Sequence, residues 1–223
     1  DQLTEIGVTD ATILLEPCAR NTAPAIALAA LAVGKPQSVM LVMPSDHVIK
    51  DEAAFHAATD AILPNVQDGW MATYGINPTG PETGYGYIQM GSQIESGVHE
   101  VKRFVEKPDA ASAAAMIDGG NHVWNGGIFL FRAETYLDAV AEFAPGMGAA
   151  TRLAMSKAER SGNELRPDHE SFAACPADSI DYAIMEKAAK VAVAPVGMGW
   201  SDVGSWDALH EIGSKDMNGN VSS

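Results

Sequence analysis

The stretch Ser38-Val-Met-Leu-Val-Met-Pro-Ser-Asp-His47 indicates the fold class of this chain. Its apolar run from Val39 to Met43 is rich in β-branched and long side chains, and it is too short to span a membrane. Such a run predicts a strand that is buried on both faces, as in a parallel sheet covered by helices. Pro44 has no N–H to donate, so the strand is expected to end there.

Three polar side chains, Ser45, Asp46 and His47, follow this strand directly. In open α/β folds, ligands bind at the carboxyl ends of parallel strands, so Asp46 becomes a candidate ligand-binding carboxylate. The alternative is that Asp46 only caps the helix that begins near Asp51 or closes a turn.

Strands and helices alternate on both sides of this stretch. Residues 12–16 predict a strand. The alanine-rich run that ends at Val33 predicts a helix with Asn21 or Thr22 as its N-cap, Pro24 in its first turn and Gly34 as its C-terminal glycine. With the Val39 strand they form a predicted βαβ unit with parallel pairing. Further helices are predicted over 51–63, 109–117, 133–143, 147–161, 179–187 and 206–212, and strands over 70–75, 101–106, 124–131 and 191–196. The order predicts an α/β domain with a β-rich lobe.

Composition excludes several classes of protein. The net charge of −15 argues against a nucleic-acid backbone or an anionic membrane as partner. Cys18 and Cys175 are too few for a disulfide framework, and the chain opens with no signal peptide, so a cytoplasmic location is predicted. Zinc-type His/Cys spacing, a GxSxG nucleophile elbow, GxGxxG and the P-loop motif are all missing from the sequence.

Arg20, Asn21 and Thr22 stand at the start of the first long predicted helix. A cation beside the free N–H groups of a helix N-terminus suits an anion or the polar edge of a nucleotide. The alternative is that Arg20 is a solvated surface charge.

Asp46 and Asp202 each follow a predicted buried strand and each lie in a loop of small residues. Carboxylates with few other protein ligands suit Mg²⁺, which keeps waters and takes phosphate oxygens as further ligands. Glu106 and Asn125 are able to bond sugar-like hydroxyls. Lys107 is a neighbour of Glu106 on a strand, so the two side chains are expected on opposite faces unless the strand end twists. These residues point to phosphoryl or nucleotidyl transfer.

Seven segments together carry a resemblance to a known family. They are Glu16-Pro-Cys-Ala-Arg-Asn-Thr-Ala-Pro-Ala25, Met43-Pro-Ser-Asp-His47, Glu82-Thr-Gly-Tyr-Gly-Tyr-Ile88, Phe104-Val-Glu-Lys-Pro108, Trp124-Asn-Gly-Gly-Ile-Phe129, Ser179-Ile-Asp-Tyr-Ala-Ile-Met-Glu-Lys187 and Gly199-Trp-Ser-Asp-Val-Gly-Ser-Trp206. In this order, from Gln2 to Val221, the chain resembles the bacterial mannose-1-phosphate guanylyltransferases. The resemblance implies a Rossmann-like, mixed and mainly parallel sheet flanked by helices, with a small β-rich sugar-binding lobe. It also implies one nucleotidyltransferase domain over residues 1–223, with a nucleotide-binding portion over about 1–76 and a sugar-binding portion over 77–223.

The resemblance further implies the reaction and the roles of single residues. GMP would pass from GTP to mannose 1-phosphate, giving GDP-mannose and pyrophosphate, with Mg²⁺ as cofactor and a homodimer as a further expectation. Asp46 and Asp202 would hold Mg²⁺, and Lys107 would contact the sugar phosphate. The remaining predicted substrate-binding residues are Arg20, Asn21 and Thr22 for the guanine end, Glu82, Gly84, Gly86, Glu106 and Asn125 for the mannose part, and Ser45.

Two departures from the family pattern keep alternatives open. The family's glycine-rich triphosphate loop has no counterpart in residues 1–223, so we expect an internal part of the domain. Gly126 stands where the family usually has serine, which removes one hydroxyl beside Asn125. The alternatives are a sugar nucleotidyltransferase with another base or sugar, a non-catalytic module that binds a sugar nucleotide, and a fragment that does not fold alone.

Overall fold

The computed structural model describes residues 2–217 and 220–221, which divide into two compact units. The first unit comprises Asp1–Met40 and Phe131–Ala189, and the second comprises Leu41–Leu130 and Lys190–Ser223. The division of the chain into a nucleotide portion and a sugar portion at residue 77 is a functional one and stays a prediction. In the described residues, no helix is both long and apolar enough to cross a membrane.

The described elements alternate along the chain. The strands are β1 (Ile13–Leu14), β2 (Val39–Val42), β3 (Met71–Ile76), β4 (Tyr87–Glu95), β5 (Val98–Val105), β6 (His122–Arg132), β7 (Glu159–Ser161), β8 (Glu164–Arg166) and β9 (Val191–Val196). The helices are α1 (Gln2–Glu5), α2 (Thr22–Val33), α3 (Glu52–Gln67), α4 (Ala110–Asp118), α5 (Ala133–Phe143), α6 (Pro145–Ser156), α7 (His169–Ala173) and α8 (Trp206–Ile212), with a π-helical turn at Asp181–Met185. The predicted α/β fold is confirmed.

A six-stranded sheet, in the order β2-β6-β3-β9-β5-β4, holds most of the second unit. Its strands β3 and β9 run parallel, with Met71 opposite Val191 and Ile76 opposite Val196. The ladders β3–β6, β4–β5, β4–β6 and β5–β9 are antiparallel. The sheet is therefore mixed as expected, but these ladders are not mainly parallel, because β4 and β5 form a long hairpin that pairs back on β6 and β9.

The core of the second unit lies between this sheet and α3. The buried side chains of α3, Phe55, Ile62 and Val66, belong to the same apolar cluster as Tyr74 of β3. Asp51 accepts a hydrogen bond from Ala54 N (2.9 Å), so Asp51 is the N-cap of α3. The alternative that Asp46 caps this helix is wrong. The helix also continues past Pro64, four residues beyond the predicted end.

The predicted strand from Val39 to Met43 forms as β2, but it is not buried on both faces. Val39, Leu41 and Met43 are each about two-fifths exposed, and the residues between them are half-buried. The strand lies at the end of the sheet order, so it has a neighbouring strand on one side in the described structure. A run of apolar residues does not distinguish a central strand from an edge strand.

In the first unit, α2 packs with α5 and α6 around Tyr136, whose phenol donates to Ala23 O (2.9 Å). The α2 boundaries were predicted correctly: Asn21 accepts from Thr22 N (2.8 Å), and Gly34 adopts the left-handed conformation with φ 66°. The strand predicted before it forms as β1, but the partner of that strand was predicted wrongly. β1 pairs in parallel with β8 in a separate sheet of order β1-β8-β7, so the expected βαβ pairing of β1 with β2 is wrong.

The remaining element predictions were mostly correct. Helices α5 and α8 have the predicted boundaries, and α4 lies within one residue of its prediction. Helix α6 begins and ends earlier than predicted, because residues 159–161 form β7 and pair with β8 instead. The predicted helix at 179–187 is largely a π-helical turn, in which Ser179 Oγ accepts from Tyr182 N (3.3 Å).

Candidate active site

Two loops of the second unit run side by side and carry the two candidate metal carboxylates. Val48 and Ser201 form an antiparallel bridge, in which Val48 N donates to Ser201 O (2.8 Å) and Ser201 N donates to Val48 O (3.0 Å). In this register Asp202 is one residue from the bridge and Asp46 is two residues from it. The pairing therefore joins the loops of two carboxylates that are 156 positions apart in the sequence.

Asp202 is held by two donors on one of its carboxylate oxygens. Tyr85 donates its phenol O–H to Asp202 Oδ1 (3.0 Å), and Gly204 N donates to the same oxygen (3.1 Å). Next to it, Val203 has a positive φ of 52°, which is strained for a β-branched residue. Its N–H donates to Ser201 Oγ (3.1 Å), which helps to hold this turn.

Tyr85 is fixed in place by a cluster of aromatic rings. Its ring lies edge-on to Trp124, with centroids 5.0 Å apart, and edge-on to Trp200 at 5.5 Å. Trp200 in turn lies edge-on to His47 at 5.3 Å and donates its Nε1–H to His47 Nδ1 (3.2 Å). Because Nδ1 of His47 accepts, the neutral imidazole carries its proton on Nε2.

The charge environment of Tyr85 keeps its phenol protonated. Burial raises the pKa of Tyr85 well above its ordinary value, and the Asp202 carboxylate raises it further, both as hydrogen-bond acceptor and as a nearby negative charge. Glu82 and Glu211 act in the same direction. The hydroxyl is therefore a constant donor to Asp202 throughout the physiological pH range.

The predicted sugar-binding residues Gly86, Glu106 and Asn125 meet at the start of β4. Asn125 N donates to Gly86 O (2.8 Å), and a Cβ on Gly86 would lie 2.5 Å from Glu106 Oε2. Asn125 Oδ1 accepts from Thr73 Oγ1 and from Gly127 N, both at 3.3 Å, which fixes the orientation of its amide. A carboxylate and an oriented amide in contact with a glycine are suited to bind vicinal hydroxyls close to the backbone.

Glu106 and Lys107 do not point to opposite faces, as their positions on a strand had suggested. Lys107 Nζ lies 3.6 Å from Glu106 Oε1. The reason is the backbone: β5 ends at Val105, and Lys107 adopts a left-handed φ of 45°, which turns its side chain back toward Glu106. Lys107 remains about two-thirds exposed, so its ammonium can reach a bound anion.

A cleft of about 480 Å³ opens beside the aromatic cluster. Its walls include Glu82, Tyr85, Trp124 and Trp200, together with Asp207 and Glu211 of α8 and the hydroxyls of Thr79, Ser201 and Ser205. Lys50 crosses the cleft and donates to Glu211 O (3.4 Å). Gly199, at φ 63°, leaves room for the Lys50 stem, because a Cβ there would lie 2.9 Å from Lys50 Cβ.

The three residues predicted to line the guanine end lie in the first unit. Arg20, Asn21 and Thr22 line a cleft of about 430 Å³ with Glu16, Cys18, Ala19 and Ala25. The side chains also have structural roles: Arg20 donates to Ala173 O, Asn21 caps α2, and Thr22 Oγ1 accepts from Ile180 N (2.9 Å). The alternative of Arg20 as a solvated surface charge is not what the structure shows, because Arg20 Nε is buried without a hydrogen-bond partner.

Three further predictions concern small residues. Ser45 lies exposed with Asp46 in the turn after β2. A Cβ on Gly84 would meet nothing within 4 Å, so no close packing requires glycine there. A Cβ on Gly126 would lie 3.2 Å from both Ile76 Cγ1 and Tyr74 O, so a serine at this position would start in contact with β3.

The donor set fits a hard divalent cation that also binds phosphate. Within residues 2–217 and 220–221, no group of three or more His, Cys, Asp or Glu side chains is arranged to hold a metal ion. The carboxylates of Asp46 and Asp202, on two paired loops, suit Mg²⁺, because it completes its octahedron with water and substrate phosphate oxygens.

The predicted site residues did not include His47, Lys50, Tyr85, Trp124 or Trp200. Two of them have a local signal, since His47 adjoins Asp46 and Trp200 stands two residues before Asp202. Their partners are far away in the chain, however: Tyr85 and Asp202 are separated by 117 residues, and His47 and Trp200 by 153. Spacing alone does not indicate such pairs.

This chain is similar to known proteins over nearly its whole length. The family model described as Nucleotidyl transferase matches residues 1–219. Xanthan biosynthesis protein XanB of Xanthomonas campestris pv. campestris is 48% identical over 99% of this chain and 47% of its own length. Mannose-1-phosphate guanylyltransferase of Escherichia coli K12 is 46% identical over 99% of this chain and 48% of its own length. The chain thus spans about half the length of the curated relatives it matches.

A solved structure agrees with the fold. A protein from Thermus thermophilus, described as a mannose-1-phosphate geranyltransferase, superimposes with a TM-score of 0.81 at 34% identity, over 96% of this chain and 62% of that protein. The resemblance found in the sequence is confirmed. Because the family model covers nearly the whole chain, the chain belongs to the nucleotidyl transferase family.

Proposed function

We propose that the protein carrying this chain transfers GMP from GTP to α-D-mannose 1-phosphate, giving GDP-mannose and pyrophosphate. The relatives named as mannose-1-phosphate guanylyltransferases supply the choice of substrates. One observation on the structure carries the proposal most directly. Asp202 accepts a hydrogen bond from Tyr85. Gly86, the residue after Tyr85, contacts Glu106 and Asn125, so the candidate metal and sugar ligands form one continuous site.

The residues of this site suit the chemistry of nucleotidyl transfer. A sugar 1-phosphate is already an anion near neutral pH, so it needs no general base to act as nucleophile. One of its phosphate oxygens attacks the α-phosphorus of GTP, a new P–O bond forms, and the bond to the β-phosphate breaks, with its electron pair leaving on pyrophosphate. The protein's contribution is alignment of the two substrates and neutralisation of their charge.

Each candidate residue has one task in this scheme. Glu106 and Asn125 bind mannose hydroxyls and hold the ring against the Gly86 backbone, and Lys107 pairs with the sugar phosphate. Members of the nucleotidyl transferase family generally use a divalent metal. We assign Asp46 and Asp202 to Mg²⁺, which when bound supplies further neutralisation of phosphate charge. The assignment of Arg20, Asn21 and Thr22 to the guanine end rests on their shared cleft.

Two alternatives remain within reach of experiment. Another sugar nucleotidyltransferase of this family would differ in base or sugar preference, and competition among GTP, ATP and dTTP in the protein carrying this chain separates these. A non-catalytic module would bind the sugar nucleotide without turning it over.

The test is isothermal titration of GDP-mannose into the 223-residue chain, with and without Mg²⁺, and with UDP-glucose as the comparison ligand. We expect magnesium-dependent binding of GDP-mannose that is tighter than binding of UDP-glucose. A folded chain that binds neither ligand, or that prefers UDP-glucose, contradicts the proposed substrate assignment.

A further inference from the structure

Tyr85 contacts two residues of the loop that carries Asp202, namely Trp200 and Asp202 itself. Its ring packs edge-on against Trp200 at 5.5 Å, and its hydroxyl donates to Asp202 Oδ1 at 3.0 Å. Trp124 packs on the same ring at 5.0 Å, also edge-on. With two indoles against it, the phenol ring has little freedom to turn, so the direction of its O–H is set by packing.

The two oxygens of Asp202 are in different surroundings. Oδ1 receives both Tyr85 O–H and Gly204 N–H. A Cβ on Gly204 would lie 2.9 Å from Oδ2, so the absence of a side chain there leaves space beside this oxygen. A carboxylate whose one oxygen is held by two donors presents the other oxygen in a fixed direction.

Tyr85 also belongs to the loop that carries the candidate sugar contacts. The residue after it, Gly86, accepts from Asn125 N (2.8 Å) and lies against Glu106. The loop is therefore bound to the sheet through Gly86 and to the candidate metal carboxylate, Asp202, through Tyr85. A change in the seating of the loop therefore changes the support of Asp202.

We propose that Tyr85 is a positioning residue that orients Asp202 for the metal ion and couples metal binding to the seating of the sugar-binding loop. This inference rests on the proposed function, because it takes Asp202 as a metal ligand. Loss of a partner that supports a metal ligand typically weakens metal affinity about 10- to 100-fold. Linkage is reciprocal: the factor by which bound metal raises the affinity for the sugar nucleotide equals the factor by which bound sugar nucleotide raises the affinity for the metal.

The experiment compares Tyr85→Phe with Tyr74→Phe in the 223-residue chain. Both changes remove one tyrosine hydroxyl and keep the ring, but the hydroxyl of the buried Tyr74 bonds Thr59 Oγ1 (2.7 Å) of α3 and not Asp202. The first probe is Mn²⁺ alone. Its binding is monitored as the loss of the electron paramagnetic resonance signal of free Mn²⁺. The second readout is the ratio of GDP-mannose dissociation constants without and with Mg²⁺. Thermal unfolding of each variant is measured in parallel.

We expect Tyr85→Phe to weaken Mn²⁺ binding about tenfold and to lower the magnesium ratio for GDP-mannose, while Tyr74→Phe leaves both at the wild-type values. Wild-type values for Tyr85→Phe overturn the inference and leave the proposed function standing. A wild-type chain that binds no Mn²⁺ and shows no magnesium effect overturns the metal assignment itself, and with it the role of Tyr85.

If Tyr85→Phe lowers the folded fraction, Gly204→Ala decides the question. This variant keeps the phenol and places a methyl group 2.9 Å from Asp202 Oδ2. Weaker Mn²⁺ binding in a folded Gly204→Ala chain supports the orientation of Oδ2 toward the metal, and unchanged binding overturns it.

Discussion

Replacing Gly86 by alanine places one methyl group against the carboxylate of Glu106. The added Cβ would lie 2.5 Å from Glu106 Oε2 and 3.5 Å from Asn125 Cβ. Ordinary contact begins near 3.4 Å, so the carboxylate has to retreat by about 0.9 Å while the backbone stays in place. Gly86 does not have a positive φ, so alanine adopts its backbone conformation without strain.

The cost should fall on binding more than on folding. The displaced atom is the end of a flexible side chain, and an off-rotamer Glu106 costs only about 0.5–1.5 kcal/mol of stability. A misplaced carboxylate loses its hydrogen bonds to sugar hydroxyls, each contributing about 1.5–3 kcal/mol when one partner is charged. We therefore expect the dissociation constant of GDP-mannose in Mg²⁺ to rise about 10- to 100-fold.

The assay is titration calorimetry on Gly86→Ala, with thermal unfolding of the same sample. Gly80→Ala is the matched control, because a Cβ on Gly80 would meet nothing within 4 Å in the same loop. Equal affinities for Gly86→Ala and Gly80→Ala would refute the reasoning, since Glu106 would then not contact the sugar. An unfolding midpoint far below that of Gly80→Ala would show instead that the methyl group disturbs the sheet.

Further expected outcomes concern Asp202, Lys107 and Asp168. Asp202→Ala should abolish magnesium-dependent turnover in the protein carrying this chain without unfolding it; circular dichroism and turnover check this, and unchanged turnover would remove Asp202 from the metal site. Lys107→Ala should raise KM for mannose 1-phosphate and leave KM for GTP unchanged, and a change in GTP alone would contradict the assignment. Hydrogen bonds from Ser171 hold the pKa of Asp168 below its ordinary value, so its contribution to stability is present above the unfolded-state pKa and is lost as the pH falls through the folded-state pKa. Urea unfolding should therefore show Asp168→Asn less stable than wild type near about pH 7, with the difference disappearing once the pH has fallen below the folded-state pKa of Asp168; a constant difference would show that the capping charge does not matter.

Elements with signals inside their own sequence were predictable. The start of α2 at Thr22 and its end before Gly34 follow from a cap residue and a glycine that act within a few positions. The partner of β1 was not predictable in this way. Its ladder joins Ile13 to Glu164, and a two-residue strand has no pattern that selects a partner so far along the chain.

The same distinction between local signals and long-range contacts applies to the candidate site. The identities of Asp46, Glu106, Asn125 and Asp202 were available from motifs, because carboxylates and amides at strand ends carry recognisable chemistry. Contacts that depend on backbone conformation or on distant segments were not available. The Glu106–Lys107 ion pair needs the positive φ of Lys107, which no sequence rule predicts for lysine.

The position of β9 has a consequence for synthesis on the ribosome. This strand lies between β3 and β5, although among the six described strands of this sheet it comes last along the chain. Until residue 196 has left the ribosomal tunnel, β3 and β5 each keep an unpaired edge, and such edges are open to wrong pairing and aggregation. The second unit thus completes this sheet late, and the edges of β3 and β5 stay open to wrong pairing while residues 106–190 are translated.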